Sequence, residues 1–169
     1  MQYNNLILKS LSPLLIVSIF FLDRMTKGLI LEKMYLGQSI EVFPFFQITY
    51  VRNTGVAFGL GQNRNQFFIL VTSILVVILF MFQRFLGKND RQNLKLKTGL
   101  ALVIGGALGN LYDRMVYGSV IDFLDFFLGS YHWPAFNIAD ASICIGTFLL
   151  FLPQWLNRKN CYTHNQIQA

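Results

Sequence analysis

Residues 67–85 read FFILVTSILVVILFMFQRF, and this stretch contains no charged residue before Arg84. A helix needs about 20 apolar residues to cross the hydrocarbon core of a bilayer, and this stretch is close to that length. The whole chain of 169 residues has the same bias, since 54% of its residues are hydrophobic and 13% are charged. An ordinary soluble domain carries about 25% charged residues. The composition also excludes intrinsic disorder, which requires low hydrophobicity and high charge. It therefore predicts a membrane protein.

Three further stretches are predicted to cross the bilayer, at residues 11–31, 98–117 and 138–156. The first of them is apolar through Leu22 and is followed by the charged run at residues 23–27, DRMTK. A signal-peptide cleavage site would instead have small residues at this place, so we expect the first span to be retained. The sequence thus predicts one membrane-embedded domain, residues 1–169, with four transmembrane helices.

The positive charges predict the orientation of these helices. Eight of the 14 Lys and Arg residues lie in the two tails or in the link between the second and third spans. They are Lys9, Arg84, Lys88, Arg91, Lys95, Lys97, Arg158 and Lys159. Because basic loops stay in the cytoplasm, both termini are predicted to be cytoplasmic. The net charge of +6 then reflects topology, and no nucleic-acid partner is predicted.

Two segments on the outward side are more than linkers. In the region of residues 35–60, the run FFQITYVR at residues 45–52 alternates and is rich in β-branched residues, which is typical of a strand. It predicts a small outward-facing β-sheet resting on the bilayer. Residues 122–129, DFLDFFLG, place Asp122 and Asp125 three residues apart, which predicts an interfacial amphipathic turn or helix. Asp125 is then expected to be solvated, and His132 is expected in a loop.

Polar side chains within the predicted spans are functional candidates, because a charge at membrane depth costs several kcal/mol. Asp23 and Lys27 are four residues apart in the first span, and Asn137 and Asp140 open the fourth. A polar stripe with 3–4 spacing runs along the third span and consists of Gly106, Asn110, Asp113, Arg114 and Tyr117. Each group also has a purely structural interpretation. Asp23 and Lys27 fit a helix ion pair, Asn137 fits a helix N-cap, and the stripe of the third span fits an interhelical network.

Two carboxylates held close together can share one proton. The ionised partner can take a proton from water while the protonated partner donates to a carbonyl oxygen, and together these steps hydrolyse a peptide bond. The spacing leaves open which two of Asp113, Asp122, Asp125 and Asp140 form such a pair. With only two His residues the chain has no metal-binding motif, and neither a metal nor another cofactor is predicted.

Four blocks of residues resemble the bacterial lipoprotein signal peptidases, the signal peptidase II family. The blocks are residues 23–27 (DRMTK), 53–59 (NTGVAFG), 105–114 (GGALGNLYDR) continuing through Gly118, Val120, Asp122 and Phe123, and 136–140 (FNIAD). Their order and spacing agree with the family, and the resemblance covers nearly the whole chain.

The resemblance implies an aspartyl endopeptidase of the bacterial cytoplasmic (inner) membrane, with its active site near the outer face. Its substrates would be diacylglyceryl-modified prolipoproteins, cut just before the lipidated cysteine, and globomycin-type cyclic peptides would inhibit it. The implied catalytic pair is Asp122 and Asp140. The implied supporting residues are Asp23, Lys27, Asn53, Gly55, Ala57, Phe58, Asn110, Asp113, Arg114 and Asn137. Asp140, in the first turn of its helix, is expected to be the base, and Asp122, between Ile121 and Phe123, the proton donor.

Two other functions fit the composition less well. A small transporter would place ionisable residues through the whole thickness of the bilayer, whereas the span at residues 67–85 has no charged residue before Arg84. A non-catalytic lipoprotein-binding membrane protein would tolerate loss of the carboxylates.

Overall fold

The computed structural model describes residues 2–55, 61–86 and 94–151. These parts contain four helices and four strands. In chain order they are α1 (Gln2–Lys33), β1 (Ser39–Phe43), β2 (Phe46–Asn53), α2 (Asn65–Phe85), α3 (Leu94–Tyr117), β3 (Val120–Leu128), β4 (Tyr131–His132) and α4 (Ile138–Phe151).

The four helices coincide with the four stretches predicted as spans. α1, α2 and α3 begin before the predicted boundaries, and residues 152–156 of the fourth stretch lie outside the described residues. Among the described helices, only α2 is both long and apolar enough to cross a membrane by its length and composition. No residue of α2 is buried within the protein. Its apolar surface therefore requires apolar surroundings outside the chain.

The strands form one antiparallel sheet in the order β1-β2-β3-β4. The strand predicted at residues 45–52 is confirmed, because it corresponds to β2. β1 lies in the same predicted outward region, of which residues 56–60 are outside the described part.

The predicted interfacial turn or helix at residues 122–129 is wrong, because β3 occupies this segment as a strand. Its backbone pairs with β2 over Asn53↔Val120 to Phe46↔Phe126. The spacing of Asp122 and Asp125 fits one helix face, but in a strand side chains alternate between faces. Both carboxylates are nevertheless buried. The pairing partner is about 70 residues earlier in the chain, and local periodicity carries no information about such a partner.

The sheet rests on the end of α1 through a small apolar core. Ile30 of α1 and Met34, which directly follows this helix, pack against Tyr50, Ile121 and Phe123 from β2 and β3. This contact holds the start of β3 over the helices.

α3 lies at the centre of the helices and packs against α1, α2 and α4. Glycines make the approach close, since a Cβ at Gly109 would lie 2.6 Å from the Asp23 carboxylate, and one at Gly99 would lie 2.9 Å from the Gly146 carbonyl. An alanine at Gly109 would therefore displace the Asp23 carboxylate, and one at Gly99 would push α3 away from α4. The polar side chains of α1, α3 and α4 are consequently brought into direct contact.

Candidate active site

Asp122 lies near the start of β3, and the residue is 2% exposed. Two amides hold its carboxylate. Asn137 Nδ2 donates to Oδ1 at 2.7 Å, and Asn53 Nδ2 donates to Oδ2 at 3.2 Å. Asn53 comes from the end of β2 and Asn137 from the start of α4, so the carboxylate lies where sheet and helices meet.

Asp140 lies in the first turn of α4 and forms a reciprocal cap with Asn137. The Asp140 backbone N–H donates to Asn137 Oδ1 at 2.9 Å, and the Asn137 backbone N–H donates to Asp140 Oδ2 at 3.2 Å. This is the arrangement of a capping box. The N-cap role expected for Asn137 is therefore present, and the same side chain also binds Asp122.

A second asparagine connects Asp140 to the helices. Asn110 Nδ2 of α3 donates to Asp140 Oδ1 at 2.7 Å. The Asn110 Oδ1 accepts from Lys27 Nζ at 2.9 Å and from Asn137 Nδ2 at 3.2 Å. A chain of hydrogen bonds thus runs from the Asp122 carboxylate through the side-chain amides of Asn137 and Asn110 to the Asp140 carboxylate.

Asp23, Arg24, Lys27 and Asp113 form what we call the α1–α3 charge cluster. Lys27 Nζ lies 2.8 Å from Asp23 Oδ2 and 2.8 Å from Asp113 Oδ2, while Arg24 pairs with Asp113 Oδ1. The side chains of Asp23, Lys27 and Asp113 are 0% exposed. The predicted ion pair of Asp23 and Lys27 is present and belongs to this larger network.

Two acceptors of the charge cluster bind backbone groups beside the carboxylate pair. Asp23 Oδ1 accepts from the Ala139 N–H at 3.0 Å, and Asp113 Oδ2 accepts from the Ile121 N–H at 3.2 Å. Ala139 precedes Asp140 in the chain, and Ile121 precedes Asp122. The cluster therefore fixes the backbone next to both carboxylates.

Arg114 is directed to the other side of the site. Its Nη2 donates to the Gly55 carbonyl, and its guanidinium lies 4.8 Å from the centre of the Phe68 ring. The Gly55 N–H donates to Asn53 Oδ1 at 2.9 Å. Arg114 thus supports the turn whose asparagine binds Asp122. Two other predicted supporting residues, Ala57 and Phe58, lie outside the residues that the structure describes.

The surroundings of Asp122 favour its protonated form. Burial is the largest cause, the negative charge of Asp140 adds to it, and hydrogen bonds from Asn53 and Asn137 oppose it. Together they raise the pKa of Asp122 to about 7. A carboxyl group with such a pKa can donate a proton at neutral pH.

Asp125 does not join this pair. The expectation that it is solvated is wrong, because it is buried and binds two neighbours. Gln47 Nε2 donates to Asp125 Oδ2 at 2.6 Å, and His132 Nδ1 lies 2.9 Å from the same oxygen. His132 lies in β4, where a loop was expected. No group of three or more His, Cys, Asp or Glu side chains in the described ranges could hold a metal ion.

Sequence reasoning did not single out Arg24, Gln47 or His132 as parts of polar networks. Arg24 lies within the first block that resembles the family. Its charge inside a predicted span could have indicated that it belongs to a polar network. Gln47 and His132 gave no such signal, because strand pairing alone brings them to Asp125.

Known proteins resemble this chain over most of its length. The family model described as Signal peptidase (SPase) II matches residues 15–156. A lipoprotein signal peptidase of Alteromonas mediterranea is 46% identical over 142 residues, which cover 82% of this chain and 76% of that protein. One of Wigglesworthia glossinidia brevipalpis is 42% identical over 146 residues, covering 85% of this chain and 93% of that protein.

Solved structures show the same fold. A bacterial membrane enzyme determined by the in meso method at 2.3 Å resolution superposes with a TM-score of 0.77 at 35% identity, over 89% of this chain and 91% of that one. A second, determined at 1.9 Å resolution, gives a TM-score of 0.72 at 36% identity, over 85% of this chain and 91% of that one.

Proposed function

This chain belongs to the signal peptidase II family of membrane proteases that process lipoproteins, and from this membership we propose that Asp122 and Asp140 are its catalytic pair. The reaction is hydrolysis of the peptide bond that precedes the diacylglyceryl-modified cysteine of a prolipoprotein. The observation that carries the proposal is that Asn137 donates to both carboxylates, to Asp122 through its side-chain amide nitrogen and to Asp140 through its backbone N–H.

Asp140 acts as the base. Its carboxylate accepts from Asn110 and from the Asn137 backbone N–H, and it lies in the first turn of α4. N–H donors and the positive end of the helix dipole stabilise a negative charge there. Asp140 takes a proton from water while the water oxygen attacks the peptide carbonyl carbon.

Asp122 acts as the acid. It donates its proton to the carbonyl oxygen, which gives a neutral tetrahedral intermediate. When the C–N bond breaks, the nitrogen of the leaving cysteine takes the proton held by Asp140, and the hydroxyl proton returns to Asp122. The pair begins and ends the cycle with one shared proton, as paired aspartates do.

The other side chains orient this pair and its substrate. Asn110 donates to Asp140 and is itself held by Lys27. Arg114 and Gly55 support Asn53, and Asp23 and Asp113 bind the neighbouring backbone. We extend the supporting role to Ala57 and Phe58 from the family resemblance. The amide hydrogen bonds keep both carboxylates oriented before substrate binds, which favours catalysis.

The chain is a membrane protein, and we propose that all four helices of its single domain cross the bacterial cytoplasmic (inner) membrane with both termini in the cytoplasm. The excess of Lys and Arg in the tails and in the α2–α3 link supports this orientation. The sheet and the carboxylate pair then lie near the outer face. In this position the acyl chains of the substrate stay in lipid while the peptide bond reaches water.

The substrate class is tested with one prolipoprotein in two forms, with and without the diacylglyceryl group. We expect the purified protein in detergent to cleave the lipidated form at least about tenfold faster by kcat/KM, because remote binding energy of the lipid contributes to the reaction. A globomycin-type peptide should block this cleavage. Equal kcat/KM for the two forms would contradict the substrate class, although it would leave the carboxylate pair intact.

The pH dependence of cleavage tests the role of Asp122. Because the acid must be protonated and its pKa is about 7, kcat should fall as the pH rises above neutrality. The fall should approach about tenfold per pH unit, as for the loss of one proton. The measurement is a pH–rate profile of cleavage on folded protein, and a kcat that stays constant on the alkaline side of neutrality would contradict the acid role.

A further inference from the structure

We propose that Arg24 is a positioning residue for the reaction, because it neutralises the α1–α3 charge cluster and holds Asp113 against the strand that carries Asp122. This inference rests on the proposed function, in which Asp122 and Asp140 are the catalytic pair.

The first observation is the charge balance of the cluster. Asp23 and Asp113 carry two negative charges, and Lys27 compensates one of them. All three side chains are 0% exposed, so water cannot compensate the second charge. Arg24 supplies the missing positive charge and is itself only 15% exposed. Buried charges require such pairing.

The second observation is the way in which Arg24 is held. Its guanidinium carbon lies 4.5 Å from the centre of the Tyr112 ring and 5.7 Å from that of Tyr117. Both rings belong to α3, the helix that also carries Asp113. A planar guanidinium can contact aromatic faces and a carboxylate at the same time, which an ammonium group does less well. The position of Arg24 is thus fixed from three sides.

The third observation is a short path from Arg24 to Asp122. Arg24 pairs with Asp113 Oδ1, and Asp113 Oδ2 accepts from the Ile121 N–H at 3.2 Å. The Ile121 carbonyl in turn accepts from Asn137 Nδ2 at 3.2 Å. The peptide groups on both sides of Ile121 are therefore held, and the second of them contains the Asp122 nitrogen. A shift of Asp113 moves the backbone of the catalytic acid.

Arg24 also leaves Lys27 free to bind Asn110, the side chain that orients the Asp140 carboxylate. The three donors of Lys27 face Asp23, Asp113 and Asn110, at 2.8, 2.8 and 2.9 Å. Without Arg24, Lys27 still forms its ion pair with Asp113 and is drawn more strongly towards this carboxylate. The bond to Asn110, which orients Asp140, would then weaken.

Loss of Arg24 should shift the pH–rate profile of cleavage in a predictable direction. One uncompensated negative charge would remain behind the catalytic pair, and a nearby negative charge disfavours the ionised base. The base then needs a higher pH to lose its proton, so the acid limb of the pH–rate profile moves to higher pH. The charged or titratable groups that face this region are Asp23 and Lys27 of α1, Tyr112, Asp113, Arg114 and Tyr117 of α3, Asp122 of β3 and Asp140 of α4.

The test compares Arg24→Gln, Arg24→Lys and the control Arg84→Gln, which removes the same charge from an exposed position near the end of α2. The measurements are kcat, KM and the pH–rate profile on a diacylglyceryl-modified prolipoprotein. For Arg24→Gln we expect kcat to fall by about 10- to 100-fold, since a misplacement of about 1 Å has that effect, with little change in KM. Its acid limb should move to higher pH, whereas Arg84→Gln should match the unmodified protein.

Arg24→Lys separates charge from geometry. It keeps the positive charge but loses the planar contact with the rings, so its acid limb should stay in place while its kcat falls. If Arg24→Gln does not fold, an unchanged kcat of Arg24→Lys overturns the inference. If Arg24→Gln folds, a normal kcat or an unmoved acid limb overturns it. Asp122→Asn in the same assay tests the proposed function separately, because cleavage that survives this change contradicts the catalytic pair itself.

Discussion

Asp122→Asn and Asp140→Asn should each reduce kcat for cleavage of a diacylglyceryl-modified prolipoprotein by at least about 1000-fold, within the range expected for loss of a catalytic acid or base. Asparagine keeps the shape of the side chain, and its amide oxygen can still accept from Asn53, Asn110 or Asn137. What it loses is the ability to exchange a proton. Because the two carboxylates act as a unit, the double variant should be hardly slower than either single variant.

The control for this result is Asp125→Asn. Asp125 is a buried carboxylate on the same strand as Asp122, and it binds Gln47 and His132 outside the pair. We expect it to retain kcat within about threefold, which is a small change in transition-state free energy. Thermal unfolding of all variants shows whether they are folded. If cleavage were lost in Asp125→Asn but survived in Asp122→Asn, the acid would be Asp125 and not Asp122.

Much of the fold follows from local patterns in the sequence. The apolar run at residues 67–85 predicted α2 because its length suits a helix that crosses a bilayer, and the alternation at residues 45–52 predicted β2 because it has the period of a strand. The prediction for residues 122–129 was wrong because it also rested on local spacing alone. Its two acids fit a helical period, and the hydrogen bonds that make it a strand come from β2, far away in the chain.

The candidate site was predictable as a group of residues but not as a geometry. The cost of burying charge in a membrane singled out Asp23, Lys27 and Asp113. Sequence spacing could not pair Asp122 with Asp140, and this pairing came from the resemblance to a family. Asn137 illustrates why the pairing was not predictable. Its role as a helix N-cap can be read from the local sequence, whereas its contact with Asp122 depends on how β3 and α4 meet.

Lys27→Met should be the most destabilising change in the charge cluster. Lys27 is fully buried and lies 2.8 Å from a carboxylate oxygen of both Asp23 and Asp113. Methionine fills a similar volume without a charge, and removing one partner of a buried ion pair costs about 3–5 kcal/mol. We expect the free energy of unfolding to fall by this amount. Cleavage should be lost as well, because Asn110 would no longer be held against Asp140.

A second change separates these two effects. Asp113→Asn added to Lys27→Met removes one of the unpaired negative charges, and its amide oxygen can still accept from the Ile121 N–H. The double variant should regain part of the lost stability but not the cleavage, since Asn110 remains without its donor. Lys33→Met, at an exposed position in the last turn of the same helix, is the matched control and should leave both quantities unchanged. If Lys27→Met were as stable as Lys33→Met, the cluster would not be held by charge pairing, and its role in orienting Asp140 would have to come from packing alone.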